Sequence, residues 1–551
     1  MKNEARALHL NGNLVEAVKK YESILTYYPK DSFVLHQLGS IANLAGNYEL
    51  ARDFFTQAIH ANPRSTQSLY ELGLVQKHLG LHSEALKSLD LAIKLKPDFS
   101  EAINIKGRIL YETRHFDDSL IFFNRALKIK PGFVDALNNR GTTYHELKKY
   151  NEAIRDYNLA IETSGGLATV LNNRGISYQS LGRSEDALSD FIRATELDPK
   201  LSQPYNNIGN IYYEQKRFDD AIEHYIKSTE IDPNYVDAYF NLAVCFLLIG
   251  DFESGWKNYE WRWKKNDPNF IDRNFTRPLL NIDNDLTNKT VLLHAEQGLG
   301  DTIQFCRYAA LVKELGARVV LEVQPALKSL LADIKGVDCI VSKGEPLPSF
   351  EYHCPLLSLP FVFSTNMDTV PRDRSYISAK PEKVSTWDSK LGMPNSKRVG
   401  LVWSGSQTHL NDMNRSIKLE QYRELLNAGA MFVSLQKELR DDDRVTLLQM
   451  PDVRFFGNEL VDFTDTAALV ENMDLVITVD TSVAHLSAAM GKPTWILLPE
   501  LPDWRWLNDR QDSLWYPCVR LFRQSHKGDW NDVMENLKVA LNEWLGDSSG
   551  R

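Results

Sequence analysis

Prolines recur at a spacing of 34 residues through the first half of the chain, and this period limits the possible folds more than any other feature. One gap of 68 residues spans the loop at Gly165. Small side chains let two helices approach closely, and a proline ends a helix because it has no backbone N–H. The period therefore predicts stacked helix pairs. The prolines are Pro29, Pro63, Pro97, Pro131, Pro199 and Pro233, and small residues in register are Gly39, Gly73, Gly107, Gly141, Gly175, Gly209 and Ala243.

This period and its small residues resemble the tetratricopeptide repeat. The resemblance implies an α-solenoid of about seven repeats over residues 1–265. The last helical segment, Asp251–Lys264, carries Trp256, Trp261 and Trp263. Three tryptophans on a terminal helix need cover, so we expect the segment to dock on the chain that follows. The alternative is that they cap the core of the repeats.

Four asparagines stand at one position of successive repeats, two residues before the small residue. An amide side chain offers a donor and an acceptor, so such a ladder can bind an extended peptide backbone. The arrangement resembles the asparagine ladder of the eukaryotic O-linked N-acetylglucosamine transferase. The alternative is that the amides bond between neighbouring repeats. The predicted peptide-binding residues are Asn139, Asn173, Asn207 and Asn241.

Charge and cysteine content narrow the function classes. The chain has 63 basic and 73 acidic side chains and a net charge of −10, which disfavours a general nucleic-acid or anionic-membrane binder. Five scattered cysteines without a CxxC pair favour a reducing compartment over a disulfide framework. The start resembles no signal peptide, and no apolar run is long enough to span a membrane. We expect a soluble, cytoplasmic protein.

From about residue 290 the pattern changes to short apolar strands that alternate with helices. Predicted strands are Thr290–His294, Ala317–Val323, Val337–Val341, Arg398–Trp403, Met431–Leu435, Asp474–Val479 and Thr494–Leu498. Strand, helix and strand in series imply parallel sheets with helices on both faces. We expect a connector at 266–289, a Rossmann-like N-terminal lobe on the acceptor side at 290–380, a polar linker at 381–397 and a second Rossmann-like lobe on the donor side at 398–551.

The first motif, residues 294–304, follows a predicted strand and opens a helix. Gly298 and Gly300 permit a tight turn, and Asp301 then lies near the helix N-terminus. The order resembles the opening of the bacterial lipopolysaccharide heptosyltransferase family, which implies that Asp301 is the general base. The alternative is an acidic residue that interacts with the helix dipole. Residues expected to line the same cleft are Gly298, Gly300, Gln304 and Arg307, with His294.

The second motif runs from the strand at 399–403 to Ser416. Ser404 and Ser406 offer N–H groups and hydroxyls to phosphate oxygens, and Arg415 can neutralise a diphosphate. Heptosyltransferases usually carry lysine followed by an aromatic residue in the matching loop, so the correspondence is approximate. The alternative is a solvent-exposed arginine.

The third motif, residues 474–493, carries the most specific resemblance. It looks like the heptosyltransferase donor-binding signature, with a strand, Asp480-Thr481-Ser482, His485 and a helix that ends in Gly-Lys-Pro. A helix N-terminus presents free N–H groups to an anion. Ser482 departs from the glycine of that family. The alternative is an ordinary N-cap with His485 packed beneath it.

Aromatic residues around Trp504-Arg505-Trp506 and Trp515-Tyr516 follow the last predicted strand. They can stack on a base or sugar, or pack against the tryptophan-rich segment, and spacing does not decide between the two. Asp283-Asn-Asp285 and Asp441-Asp-Asp443 look like the metal motif of another glycosyltransferase class, but we interpret them as solvated loop charges. We therefore expect no metal and no cofactor besides a nucleotide-sugar co-substrate.

These resemblances imply a GT-B glycosyltransferase fused to repeats, an α plus α/β protein. Similar bacterial fusions are linked to flagellin glycosylation. We therefore expect an inverting, metal-independent transfer of a sugar to Ser or Thr of a protein held by the repeats, with flagellin as a candidate and oligomers possible. The alternatives are a non-catalytic scaffold with a degenerate transferase domain, and an enzyme that acts on a surface glycan.

Overall fold

The computed structural model describes residues 1–265, 273–393, 396–408 and 411–546. The chain forms two compact units, Met1–Ile211 and Tyr212–Arg551. Helix pairs occupy the first part and parallel sheets the second, so the predicted α plus α/β class is confirmed. The expected connector at 266–289 falls in part on residues 266–272, which lie outside the described residues.

Eight helix pairs make up residues 1–259, and a short 3₁₀ helix, Glu260–Lys264, follows them. The small residues act as predicted, because a Cβ atom at Gly175 would come within 2.5 Å of the Phe191 ring. The α-helices are Lys2–Leu10, Leu14–Tyr27, Ser32–Leu44, Tyr48–Ala61, Thr66–His78, His82–Leu95, Ser100–Glu112, Phe116–Ile129, Val134–Glu146, Tyr150–Ser164, Ala168–Ser180, Ser184–Leu197, Ser202–Glu214, Phe218–Ile231, Val236–Ile249 and Phe252–Tyr259.

The first sheet has four parallel strands in the order β3-β2-β1-β4. They are β1 Thr290–His294, β2 Arg318–Val323, β3 Cys339–Ser342 and β4 Tyr352–Pro355. Its helical segments are Leu299–Phe305, Cys306–Tyr308, Ala309–Glu314, Pro325–Lys328, Leu356–Ser358 and Leu359–Val362. The first motif therefore follows a central strand.

The second sheet has six parallel strands in the order β7-β6-β5-β8-β9-β10, which is the doubly wound Rossmann order. They are β5 Arg398–Val402, β6 Met431–Ser434, β7 Val453–Phe455, β8 Leu475–Val479, β9 Thr494–Leu498 and β10 Val519–Arg523. Helical segments are Asp412–Arg415, Leu419–Ala428, Asp441–Leu448, Gly457–Glu459, Phe463–Glu471, Ser482–Ala489, Trp504–Trp506 and Asn531–Gly546. The strand order reverses between β5 and β8.

Several parts of the chain differ from the expectations. Strands β4, β7 and β10 were not predicted, because they are short or carry polar residues on one face. The polar stretch at 381–397 contains a helix, Pro381–Leu391, which buries Trp387. Asp443 is not a solvated loop charge, since it is buried in a helix and accepts a hydrogen bond from the Leu419 N–H.

The terminal tryptophan segment docks within the second unit, as predicted. Trp256 is buried, and its indole N–H donates to the Thr365 carbonyl at 2.9 Å. Its ring meets Trp504 edge-on, with centroids 5.2 Å apart. Trp261 instead stacks on Tyr239 of the preceding helix at 3.8 Å. These contacts explain why the last helix pairs belong to the same compact unit as the sheets.

Of the helices in the described ranges, none combines the length and the apolar character that a bilayer crossing requires.

Candidate functional site

The second and third motifs meet at the point where the strand order of the second sheet reverses. Ser404 follows β5 and Asp480 follows β8, and these two strands are hydrogen-bonded neighbours. Connections leave the two strands in opposite directions, which opens a crevice at their carboxyl ends. Ligands of open α/β sheets bind in such crevices.

The turn after β8 presents a helix N-terminus at this crevice. Thr481 is the N-cap residue with extended backbone, and it makes no side-chain cap hydrogen bond. Its hydroxyl instead lies 3.2 Å from the Thr478 hydroxyl. Ser482 begins the helix Ser482–Ala489 and is partly exposed. The first turn of a helix leaves N–H groups without intrahelical partners, so this end suits an anion.

His485 lies on the first turn of the same helix and is buried. Its Nδ1 atom is 2.9 Å from the Tyr516 hydroxyl, and its ring stacks on Trp506 with centroids 5.3 Å apart. Its Nε2 atom lies 4.0 Å from a carboxylate oxygen of Asp480. Burial, and then the nearby positive charge of Arg505, hold the pKa of His485 well below its usual value. The imidazole is therefore neutral near pH 7.

Arg415 links the loops that follow β5 and β8. Its Nη1 atom donates to the Asp480 carbonyl at 3.0 Å. The guanidinium lies over Gly405, where an added Cβ would come within 2.6 Å of it. Ser404 accepts a hydrogen bond from the Gln436 amide at 3.0 Å, and Ser406 pairs with the Thr408 hydroxyl at 2.8 Å.

Asp480 carries a perturbed carboxylate. Burial and the neighbouring Asp503 carboxylate raise the pKa of Asp480 to about 6, although Arg415 and Arg505 act in the opposite direction. A buried acid with a raised pKa stores a cost of ionisation in the native state. Such perturbed groups concentrate at functional sites.

Asp480→Asn is expected to stabilise the protein at pH 7.5 by about 1–3 kcal/mol, because the native state then buries no charge at this position. The folded-state pKa of about 6 lies above the usual aspartate value of 3.8. The contribution of Asp480 to wild-type stability therefore falls as the pH rises from 4 to 6, and the gain from the amide should vanish near pH 4. Urea denaturation at both pH values checks this, with the exposed Asp283→Asn as control. An equal effect at the two pH values would contradict it.

Asp301 occupies the third position of the helix Leu299–Phe305. One carboxylate oxygen accepts the Gly298 N–H at 2.8 Å, as the helix-terminus alternative requires. The other accepts Nη2 of Arg505 at 2.6 Å. A Cβ at Gly300 would lie 2.9 Å from the His485 ring. The first motif therefore adjoins the third.

Two residues expected to line the cleft are instead buried. The Arg307 guanidinium donates to the carbonyls of Trp515 and Pro371 and to the Tyr376 hydroxyl. Gln304 is fully buried, and its side-chain oxygen accepts a hydrogen bond from Nε of Arg505 at 3.0 Å. Both therefore support the walls of the site and do not face an open cleft.

His294 lies apart from this cluster of contacts. It is buried beside His353 at 3.3 Å, and burial lowers the pKa of His294 to about 3. Its surroundings are those of a core histidine.

The structure adds Arg505, Asp503, Trp506 and Tyr516 to the site. Of the two alternatives for the aromatic residues, packing against the tryptophan-rich segment is seen for Trp504, which contacts Trp256, whereas Trp506 stacks on His485. Stacking on a base or sugar stays a prediction. The signal was visible as an arginine between two tryptophans after β9. Spacing alone could not show that this arginine reaches Asp301.

In the repeats, the predicted asparagines Asn139, Asn173 and Asn207 each bond to the preceding repeat. Their side-chain N–H groups donate to the side-chain oxygens of Asn104, Asn138 and Asn172 at 3.1, 3.0 and 2.9 Å. This is the inter-repeat bonding of the alternative interpretation. Each amide keeps further polar capacity, because one donated bond uses one of its two N–H groups.

A pocket of about 240 Å³ lies beside this row. Asn138, Asn139 and Thr142 line it from the helix Val134–Glu146, and Tyr111 and Arg108 line it from Ser100–Glu112, the first helix of the preceding repeat. Amide, hydroxyl and guanidinium groups thus surround a space large enough for a side chain. The peptide-binding role of the asparagines stays a prediction.

Comparison with known proteins matches both parts of the chain. Tetratricopeptide repeat models match residues 44–100, 134–164, 168–201 and 209–250. The model of glycosyltransferase family 9 (heptosyltransferase) matches residues 457–497, which include Asp480 and His485. Protein FlbA of Caulobacter vibrioides is 24% identical over 328 residues, covering 55% of this chain and 54% of FlbA. The chain thus spans about half the length of this curated relative.

Among solved structures, a tetratricopeptide repeat protein from Parabacteroides merdae is 18% identical with a TM-score of 0.39, and covers 44% of this chain and 96% of that one. YrrB, described as a repeat protein with an unusual peptide-binding site, is 22% identical with a TM-score of 0.28, over 33% and 95% of the two chains. The chain therefore combines tetratricopeptide repeats with a region that is similar to glycosyltransferase family 9 (heptosyltransferase).

Proposed function

We propose that the protein is an inverting O-glycosyltransferase that moves a sugar from a nucleotide-activated donor to Ser or Thr of a protein. The observation that carries this proposal is the meeting of the three motifs in one cluster. A helix N-terminus, Arg415 and a neutral His485 surround the switch point of a Rossmann-type sheet, and Asp301 adjoins them. The two halves of a transferase site are thereby supplied by two sheets.

The donor-side groups suit a phosphate. The N–H groups at Ser482 and the guanidinium of Arg415 supply positive charge, and neutral His485 can donate a hydrogen bond without the cost of a second buried cation. Asp480 accepts hydrogen bonds, so it suits a ribose or sugar hydroxyl better than a phosphate. Trp506 is buried and stacks on His485, so it holds the imidazole in place beside the proposed phosphate site.

The proposed reaction uses one displacement. Asp301 removes the proton from the acceptor hydroxyl, whose oxygen attacks the anomeric carbon of the sugar. The bond from that carbon to the phosphate oxygen breaks, and the electron pair leaves with the nucleotide. Arg415 and the helix N-terminus stabilise the charge that develops on the leaving phosphate. A single displacement inverts the anomeric centre.

The nucleotide class is tested by thermal shift with ADP-, UDP-, GDP- and CMP-linked sugars. A ligand at about 100 times its Kd stabilises the native state by about 2.7 kcal/mol. We expect one nucleotide to shift the melting temperature, and Asp480→Ala or His485→Ala to abolish that shift. Because guanidinium and helix N–H groups supply the positive charge, excess EDTA should leave the donor-induced shift in melting temperature unchanged. No shift with any donor would favour the scaffold alternative.

A protein acceptor is supported by the repeats, by the polar pocket beside Asn139, and by the resemblance to bacterial fusions linked to flagellin glycosylation. Flagellin is therefore the proposed first acceptor to test. The competing acceptor is a surface glycan, for which the asparagine row would be unnecessary.

Asn173→Ala with Asn207→Ala is expected to reduce flagellin glycosylation at least about 10-fold, because two amides that bind the peptide backbone are lost. The matched control is Asn172→Ala, which breaks the bond to Asn207 from its other end, keeps both proposed peptide-binding amides and does not change the lining of the pocket. Mass spectrometry of flagellin measures the modified fraction. A loss in Asn172→Ala as large as that in Asn207→Ala would assign the row to repeat stability alone.

A further inference from the structure

We propose that Arg505 is the positioning residue of the transfer, holding the Asp301 carboxylate in place for proton removal. This inference rests on the proposed function and deepens it. Arg505 does not belong to any of the three motifs. It follows β9 on the 3₁₀ turn Trp504–Trp506, and it reaches across to the helix that follows β1.

Three different acceptors hold the guanidinium. Nη2 donates to Asp301 at 2.6 Å, Nη1 donates to Asp503 at 2.9 Å, and Nε donates to the side-chain oxygen of Gln304 at 3.0 Å. Asp301 and Gln304, both from the first motif, lie one helical turn apart and accept hydrogen bonds from adjacent edges of the Arg505 guanidinium. Only a planar, forked donor can make all three bonds, so lysine is not an equivalent replacement.

The packing around Arg505 fixes its conformation before any substrate binds. The side chain is 8% exposed, and the guanidinium carbon lies 4.1 Å from the Trp504 ring centre. Trp504 in turn packs edge-on against Trp256 of the last repeat. Asp503 also accepts the Arg505 backbone N–H at 3.0 Å, which fixes the turn. Such prior fixing lets a base act without reorganisation in the transition state.

Arg505 also places a positive charge directly beside the Asp301 carboxylate. The groups that face this carboxylate are Arg505 on the 3₁₀ turn, Tyr259 at the end of the last repeat, and His485 through Gly300. Asp503 and Asp480 add negative charge nearby, and Arg415 lies on the far side of Asp480. His485 is neutral, so Arg505 is the cation in direct contact with Asp301.

The experiment compares Arg505→Lys and Arg505→Gln with wild type, using the nucleotide sugar that gives a thermal shift in the panel. Donor turnover to nucleotide is measured from pH 5 to 9. We expect Arg505→Gln to lower kcat at least about 100-fold across this pH range, with less than about a 3-fold change in donor KM. Arg505→Lys should also lower kcat, because an ammonium group does not reproduce the planar fork of the guanidinium.

Arg510→Gln is the matched control, since this arginine pairs with Asp512 outside the cluster, and it should behave as wild type. A KM effect alone, or a kcat of Arg505→Gln within about 3-fold of wild type, would overturn the proposal. Failure of every donor to bind wild type would instead refute the proposed function. In that case, a double-mutant cycle of Asp301→Asn and Arg505→Lys, read by melting temperature, still tests whether Arg505 holds Asp301. Additive shifts would show that it does not.

Discussion

Asp301→Asn is expected to reduce sugar transfer by about 10²–10⁴-fold while leaving the donor-induced thermal shift in place. A general base contributes rate enhancement of this size, and an amide cannot accept a proton near neutral pH. The donor side is built from other residues, chiefly Arg415 and the helix that begins at Ser482. Loss of rate without loss of donor binding is therefore the specific signature of Asp301 as base.

The control for this variant is Asp283→Asn, an exposed aspartate that precedes the first sheet. It removes one carboxylate and should change neither rate nor melting temperature. Asp301→Asn also exchanges one acceptor atom of the contacts with Gly298 and Arg505 for an amide, so melting temperature must be measured alongside rate. Transfer within 3-fold of wild type would show that Asp301 serves only as a helix-terminal residue.

The fold was predictable where its signal is periodic or local. The 34-residue period defined the helix pairs, because each repeat must place a small residue at the same contact. Strands β1, β5, β8 and β9 were found because they are buried on both faces and read as continuous apolar runs. Strand β10 was missed because Arg520 and Arg523 interrupt its apolar pattern.

The candidate site was predictable only up to the ends of its strands. Parallel strands bring their carboxyl ends to one edge, so Ser404 and Asp480 could be paired before any coordinates. The contact between Asp301 and Arg505 joins positions 204 residues apart. No periodicity links such positions, and only packing of the two sheets brings them together. For the same reason, Arg307 could not be distinguished from a cleft residue.

The asparagine row shows a different limit. Spacing correctly predicted amides at one position of successive repeats, yet the same amide can serve a peptide or the next repeat. The bond from Asn207 to Asn172 shows that one N–H serves the repeats. It leaves the other polar atoms of the amide to be tested, which is why the control must break that bond from its other end.

A buried arginine at the end of the repeats gives the last prediction. Arg262 is fully buried and makes two parallel bonds to Glu296, each of 3.0 Å. It also donates to Glu260 at 2.6 Å and to the Ser358 hydroxyl at 2.7 Å. Glu296 lies two residues before Gly298, so the terminal repeat holds the loop that leads to Asp301. The proposed transferase site therefore depends on the terminal repeat for its shape.

Arg262→Met is expected to lower the free energy of unfolding of the unit Tyr212–Arg551 by about 3–5 kcal/mol, because it leaves the carboxylate of Glu296 buried and unpaired. Burial already raises the pKa of Glu296, and Arg262 opposes that shift. Removing the arginine raises the pKa further. A carboxyl group whose pKa is raised in the folded state lowers the stability of the protein as the pH rises. The loss of unfolding free energy in Arg262→Met should therefore be larger at pH 8 than at pH 5.

The matched rescue is Arg262→Met combined with Glu296→Gln, which removes both charges of the pair. Urea denaturation followed by tryptophan fluorescence reports on this unit, because Trp256, Trp504 and Trp515 lie in its core. The double variant should recover at least about 1 kcal/mol of the loss and should lose its extra pH dependence, since no buried carboxylate then remains at position 296. A double variant as unstable as Arg262→Met at both pH values would mean that the cost is lost packing of the arginine side chain, and that the terminal repeat does not hold the catalytic loop through charge.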